Sequence, residues 1–140
     1  MIDHKMVVDT SVLMAVLKRE KGWVELRAAL LGAPGYVPAP VLVEFWRVAR
    51  RGNLISPDLL AAFLDEMLGD SEILAFSAEH AESAAAGGEA HGTGNGNGGL
   101  LNMLDLMVYG VAKVENLPIL CTGYDFATTG AAIHPASRIG

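Results

Sequence analysis

The sequence predicts an α/β fold in a single domain spanning residues 1–140, with a central, mostly parallel β-sheet of four to five strands flanked by α-helices. Three observations lead there. Short, largely apolar runs, several rich in β-branched residues, alternate from end to end with longer stretches whose apolar residues recur every three or four positions, the pattern of strands joined by crossover helices. A length of 140 residues suits one domain and suffices to bury a core without disulfides or a structural metal. Hydrophobic residues at 51% against charged residues at 19% argue for a packed interior and against disorder.

Met6-Val7-Val8 reads as the first strand, ending at Asp9, after which Thr10-Ser11 cap a helix through Leu13, Met14, Val16 and Leu17. A second helix covers 22–31 with Trp23, Leu26 and Leu30 on one face, before a break at 32–35. Tyr36-Val37 follows as a short strand. Pro38-Ala39-Pro40 then leads into a third helix over 41–51, since a proline in the first turn lacks only an N–H that would have no partner there.

Gly52-Asn53 ends that helix, and Ser56-Pro57-Asp58 opens a fourth with a capping hydroxyl, a proline and an early acid. Its stripe of Leu59, Leu60, Phe63, Leu64, Met67 and Leu68 is core. A strand over 73–76 and an alanine-rich helix from Ser77 to about Ala86 come next, then a mobile glycine-rich loop over 87–99. That loop lacks the Gly-Lys-Ser/Thr ending of a phosphate-binding P-loop. A helix beginning near Asn102 carries Leu104, Met107, Val108 and Val111 and closes at Asn116. The chain finishes with a strand at 119–121, a turn at Thr122-Gly123-Tyr124 and a short strand around Ala132-Ile133.

Composition narrows the function classes. No apolar run approaches the roughly 20 residues of a bilayer span. The segment from Met1 to Met6, with Asp3 and Lys5, leads into no apolar core of a secretory signal, so a cytoplasmic location away from membranes is expected. The single cysteine, Cys121, excludes a disulfide or a cysteine zinc site within the chain and reads as a small buried hydrophobe. A net charge of -6 argues against a broad basic face for nucleic acid.

Four acids stand in telling positions. Ligand sites of parallel α/β sheets lie beyond the carboxyl ends of the strands. Asp9 directly follows the first strand, Asp125 lies in the loop leaving a later one, and Asp105 opens a helix that returns along the sheet. Glu44 interrupts the apolar turn of Val41-Leu42-Val43 and Phe45-Trp46, where an unpaired carboxylate would cost several kcal/mol. Divalent cations such as Mg²⁺ take oxygen ligands and would offset that cost. Each acid also has a plain structural use: Asp9 as a helix cap, Asp105 at a helix N-terminus, Glu44 paired with Arg47 or Arg51, and Asp125 in a turn. Arg47, Arg50 and Arg51 follow Glu44 on one helix and are candidates for phosphate contacts or for plain surface charge. His91 reads as an exposed loop histidine, and Trp23, Trp46 and Phe63 as core, with Trp46 a candidate for a partner groove.

Val7-Val8-Asp9-Thr10-Ser11-Val12-Leu13 resembles the opening motif of PIN domains. Val43-Glu44 resembles the second motif, and Leu101-Asn102-Met103-Leu104-Asp105 with Tyr109-Gly110-Val111-Ala112-Lys113 the third. The closing stretch from Leu117-Pro118-Ile119-Leu120-Cys121 to Thr122-Gly123-Tyr124-Asp125-Phe126 is similar to the VapC toxin branch. The resemblance covers nearly the whole chain. It implies a PIN-like fold and a metal-dependent endoribonuclease, with Asp9, Glu44, Asp105 and Asp125 as catalytic, metal-binding acids for one or two Mg²⁺ or Mn²⁺ ions. It further implies supporting roles for Ser11, Asn102 and Thr122, a small antitoxin partner and a homodimer. Two departures stand out: the glycine-rich segment before the Asp105 helix lacks lysine and arginine, and Leu104 occupies a position where a small residue is common.

Two other readings follow from the same acids. One is a non-catalytic interaction domain whose acidic pocket binds a basic partner segment. The other is an aspartate-based phosphotransfer protein, disfavoured because Ser11 stands where a phosphatase would place a second aspartate and no lysine follows the last strand.

Overall fold

The computed structural model describes residues 3–139; Met1, Ile2 and Gly140, at the ends of the domain expected over 1–140, lie outside the described residues. The chain runs β1 (Val7–Val8), α1 (Thr10–Lys18), α2 (Trp23–Gly32), β2 (Tyr36–Pro38), α3 (Ala39–Arg51), α4 (Pro57–Leu68), β3 (Glu72–Leu74), α5 (Ala78–His91), α6 (Met103–Glu115) and β4 (Ile119–Leu120), then a 3₁₀ turn at Phe126–Thr129. The four strands form one parallel sheet in the order β3-β2-β1-β4.

β1 is internal to this sheet. Val7 pairs with Tyr36 on one side and Ile119 on the other, and Val8 pairs with Leu120. Met6, Val7 and Val8 are fully buried, the continuous apolar run expected of a parallel strand covered on both faces. Their neighbours in the core include Val12, Leu13, Leu26, Phe45, Leu60, Val108, Val111 and Leu120. The strand expected around Ala132-Ile133 is reduced to a single parallel bridge between Ile119 and Ile133.

Helix ends follow local chemistry. Ser56 caps α4 ahead of Pro57, Ser77 caps α5, and Asn116 closes α6 in the left-handed conformation that asparagine tolerates at a helix C-terminus. No helix among the described residues is long and apolar enough to cross a membrane.

The main departure from expectation lies in α5, which continues past Ala86 to His91. Gly87 and Gly88 are therefore helical rather than the start of a loop. Gly87 serves close packing on α6: a Cβ there would stand 2.6 Å from the Tyr109 ring, and one on Gly110 of α6 would stand 2.7 Å from the His80 carbonyl, whereas Gly88 has room for one 3.4 Å from the end of Leu106. Tight approach of the two helices outweighs the low helix propensity of glycine. His91, the last residue of α5, is half-buried with its ring edge-on to Tyr109 at 5.5 Å, so it is not an exposed loop histidine.

The remaining loop, 92–102, is stitched to itself. The Asn95 carbonyl Oδ1 accepts the N–H of Asn97 (2.8 Å) and of Gly99 (3.2 Å), and its amide donates to the Glu89 carbonyl (3.2 Å). Gly94, Gly96 and Gly98 take positive φ between these contacts. The segment expected to be a mobile loop carries these hydrogen bonds together with a bridge between Gly92 and Leu101.

Candidate active site

Asp9 leaves β1 into the cap of α1 and is only 7% exposed. Its Oδ2 accepts the Ser11 hydroxyl at 2.5 Å and the Ser11 N–H at 3.2 Å. The Thr122 N–H in turn donates to Ser11 Oγ at 3.1 Å, which directs the hydroxyl proton toward Asp9. Thr122 thus acts through its backbone. Burial pushes the Asp9 carboxyl above the usual carboxylate range; the two bonds from Ser11 oppose that rise and the charge of Glu44 adds to it.

Asp105 and Asn102 form a reciprocal cap at the start of α6. The Asn102 side-chain carbonyl accepts the Asp105 N–H (2.9 Å), and the Asp105 carboxylate accepts the Asn102 N–H (3.1 Å). Asp105 is half-buried. Its carboxyl is pushed up to about 6, first by burial and then by the charges of Asp9, Asp125 and Glu44, with the bond from Asn102 pulling the other way. All four acids therefore share one electrostatic field.

Glu44 sits on α3 at the border between buried Phe45 and Val43, which is 64% exposed. It is half-buried rather than sealed, so the penalty expected from its apolar sequence neighbours is reduced. Among the described residues it enters no ion pair, with Arg47 and Arg51 or any other cation. Asp125 is exposed and immediately precedes the 3₁₀ turn, where its backbone carbonyl accepts the Thr128 hydroxyl. Among the described residues no three histidine, cysteine, aspartate or glutamate side chains form a ready-made cation cluster. Asp9 and Asp105 are each held by their own cap, while Glu44, half-buried, and Asp125, exposed, are linked to them only through their charge.

Two neighbours escaped the sequence reading of the site. Thr10, one residue after Asp9, buries a hydroxyl that has no hydrogen-bond partner among the described residues. Cys121, read from sequence only as core, is indeed buried, but its thiol is pushed up to about 11, by burial first and by the charges of Asp9 and Asp105 after it. An orphaned threonine hydroxyl has no signature in sequence; the proximity of Cys121 to the acids follows from the pairing of β4 with β1.

On the outer side of α3, Arg47, Arg50 and Arg51 are exposed, and Trp46 is 37% exposed instead of belonging to the core. Trp23 and Phe63 are half-buried, the former beneath the Arg19 guanidinium and the latter stacked on Phe45.

Comparison with known proteins agrees with this architecture. The family model for the PIN domain matches residues 6–131. Ribonuclease VapC42 of Mycobacterium tuberculosis is 33% identical over 134 residues, covering 94% of this chain and 98% of that protein. Among solved structures, a toxin-antitoxin complex from Klebsiella pneumoniae superposes with a TM-score of 0.66 at 19% identity, covering 94% of this chain and 98% of its counterpart. VapBC2 from Rickettsia felis, bound to a DNA fragment from its promoter, superposes with a TM-score of 0.70 at 18% identity, covering 91% and 95%.

Proposed function

The chain belongs to the PIN domain family, and from that premise we propose that it is a metal-dependent endoribonuclease, the toxin of a toxin-antitoxin pair, hydrolysing RNA phosphodiester bonds. The observation that carries the reading is the pair of fixed carboxylates, Asp9 held by Ser11 at the end of β1 and Asp105 held by Asn102 at the start of α6, which act on one another and on Glu44 and Asp125 with no protein cation paired to any of the four among the described residues. A group of carboxylates that repel one another in this way is matched to divalent cations.

The donor set fits Mg²⁺ or Mn²⁺. Asp9, Glu44, Asp105 and Asp125 offer only hard oxygen atoms and none is tied into an ion pair among the described residues. The unpartnered Thr10 hydroxyl supplies a further polar atom beside Asp9. We assign one or two ions to these four acids. When bound, such ions neutralise charge at the phosphate and lower the pKa of a water for in-line attack.

The protein's own contribution is position. Asp9 is fixed by Ser11, and Ser11 by Thr122, so its carboxylate keeps one orientation. Asp105 is oriented by Asn102, and because its carboxyl is raised to about 6 a cation competes there with a proton, so affinity should fall as pH drops toward that value. Glu44, on the helix that follows β2, and Asp125, in the segment that follows β4, bring the remaining negative charge from the elements after the two strands that flank β1.

The partners follow from the same reading. RNA is the substrate, and a small antitoxin is the protein partner, by analogy with the toxin-antitoxin neighbours. A homodimer belongs to the same reading and is carried over from the family resemblance alone. The site of action is the cytoplasm, where its RNA targets are.

Labelled structured RNAs incubated with the purified chain test the activity, with Mg²⁺, Mn²⁺ or chelator and alongside Asp9→Asn and Asp105→Asn. Cleavage that needs metal and vanishes in both variants is expected. Equal cleavage by wild type and variants would expose a contaminating nuclease, and no cleavage of any RNA would leave an acidic pocket for a basic protein segment as the function.

A further inference from the structure

The outer face of α3 carries a feature that metal chemistry does not use. Trp46, Arg47, Arg50 and Arg51 line a surface hollow of about 480 Å³. All three arginines are exposed, and none enters an ion pair among the described residues. In a chain with 10 lysines and arginines against 16 acids, three unneutralised guanidinium groups within five residues form a local reversal of charge. Beside them a tryptophan, ordinarily a residue that buries most of its surface, leaves 37% of its surface open.

The patch is continuous with Glu44. Around a helix at about 100° per residue, Arg51 stands about 20° from Glu44, Arg47 about 60°, Arg50 about 120° and Trp46 about 160°, all in one rotational sense. Along the axis the whole set spans about 10 Å. The opposite side of the helix is filled by Val41, Phe45 and Ala49, all fully buried, so the strip from Glu44 to Trp46 is the solvent face.

We propose that this strip is a binding track for single-stranded RNA, in which the three guanidinium groups take successive phosphates leading away from Glu44 and an unstacked base lies on the Trp46 ring. The assignment rests on the nuclease reading for its direction, since the track starts at one of the proposed metal-binding acids. Guanidinium groups bind phosphate through paired N–H donors, and an aromatic face stacks any base without reading its sequence. An acidic protein segment would satisfy the arginines but brings a ring only where its sequence happens to hold an aromatic residue, whereas every nucleotide couples a phosphate to a base. The track also answers the objection raised by the net charge of -6: contact with a polyanion needs a local basic strip, not a basic protein.

The test measures binding of a fluorescein-labelled, unstructured oligoribonucleotide of about twelve nucleotides to the full chain in chelator, where no cleavage occurs. Trp46→Ala is expected to weaken binding at least about fivefold and Trp46→Phe to restore most of it, because phenylalanine keeps a stacking face. Arg47→Ala/Arg50→Ala/Arg51→Ala is expected to reduce the slope of log affinity against log salt by about 2, from about 0.7 per phosphate contact. In a Trp23→Phe background, which leaves Trp46 as the only tryptophan, RNA should quench the fluorescence. Far-ultraviolet circular dichroism confirms that each variant is folded.

Wild-type affinity and salt slope in both the Trp46→Ala and the triple-arginine variants would overturn the track while leaving metal-dependent cleavage by the wild type intact. Poly-glutamate binding as tightly as RNA, with no change in Trp46 fluorescence, would overturn it in favour of an acidic protein partner. Patch-dependent RNA binding without any metal-dependent cleavage would uphold the track and remove the nuclease reading. A wild type that neither binds nor cleaves RNA would remove both.

Discussion

The backbone N–H of Thr122 donates to Ser11 Oγ across 3.1 Å, linking the segment after β4 to the first turn of α1, although 111 positions separate the two residues in the chain. That bond leaves the Ser11 hydroxyl one use for its proton, which is the Asp9 carboxylate. Ser11→Ala is therefore expected to weaken Mn²⁺ binding about 10- to 100-fold, the usual effect of removing a group that orients a ligand. Titration calorimetry against the wild type checks it. Unchanged affinity would mean that the Ser11 N–H alone suffices to orient Asp9.

Asp105 gives the metal-free protein a specific dependence on pH. Between its ordinary value of 3.8 and about 6, the folded chain holds a proton on Asp105 that the unfolded chain has already released. Stability from this group is thus greatest below about pH 4, falls as pH rises to about 6, and stays at the lower level above. Asp105→Asn cannot titrate and should lack this slope. In chelator at pH 7.5 the variant should be more stable than the wild type by on the order of 1–2 kcal/mol, after allowance for partial exposure. Urea unfolding of both proteins from pH 4 to pH 8 measures the difference.

Divalent cations should reverse that ranking. Saturating Mg²⁺ or Mn²⁺ is expected to raise the melting temperature of the wild type, because ligand binding to the folded state adds to stability. Asp9→Asn and Asp105→Asn should gain little. Differential scanning fluorimetry with and without metal reads this, and an equal rise in all three proteins would place the cation elsewhere.

The α5–α6 contact predicts opposite outcomes at nearby glycines. Gly110→Ala puts a methyl group 2.7 Å from the backbone of α5 and should destabilise by about 1–3 kcal/mol. Gly88→Ala meets only the end of Leu106 at 3.4 Å, so the better helix propensity of alanine should leave stability unchanged or raise it by up to about 1 kcal/mol. Chemical denaturation of the two variants separates close packing from mere tolerance.

Cys121 should behave as an inert thiol. With its thiol pushed up to about 11 and its side chain fully buried, alkylation by iodoacetamide at pH 8 is expected only after unfolding. Mass spectrometry of native and urea-treated samples distinguishes the two cases.

Much of this fold was written in periodicity. The β-branched run before Asp9 announced a buried strand, and the stripe expected to be core on α4 holds at Leu60, Leu64 and Met67 with Phe63 and Leu68 packed beside them, but not at Leu59, which is 62% exposed. The extension of α5 was not legible, because Gly87 and Gly88 look like breakers until their contact with α6 is known. At the site, the positions of Asp9 and Asp105 beside a strand end and a helix start were readable from local pattern. Their caps were readable only in part: Asn102 precedes Asp105 by three residues, whereas the bond from Thr122 depends on strand pairing and leaves no local trace. The exposure of Trp46 was hidden because a hydrophobic residue next to Phe45 reads as core regardless of the direction in which it points.

The internal position of β1 sets how the site fails. Asp9 donates its own N–H to the Leu120 carbonyl at 3.0 Å, and the strand that carries it has a neighbour on each side. Fraying at the β3 margin leaves that amide protected, whereas its acceptor lies on β4 at the other margin, so its hydrogen exchange should report the release of β4 from β1. Heat inactivation would then track the loss of β4 pairing, which frees Asp9 and the Thr122 bond to Ser11 together, and exchange at the Asp9 amide would gauge how much of the population still holds the site.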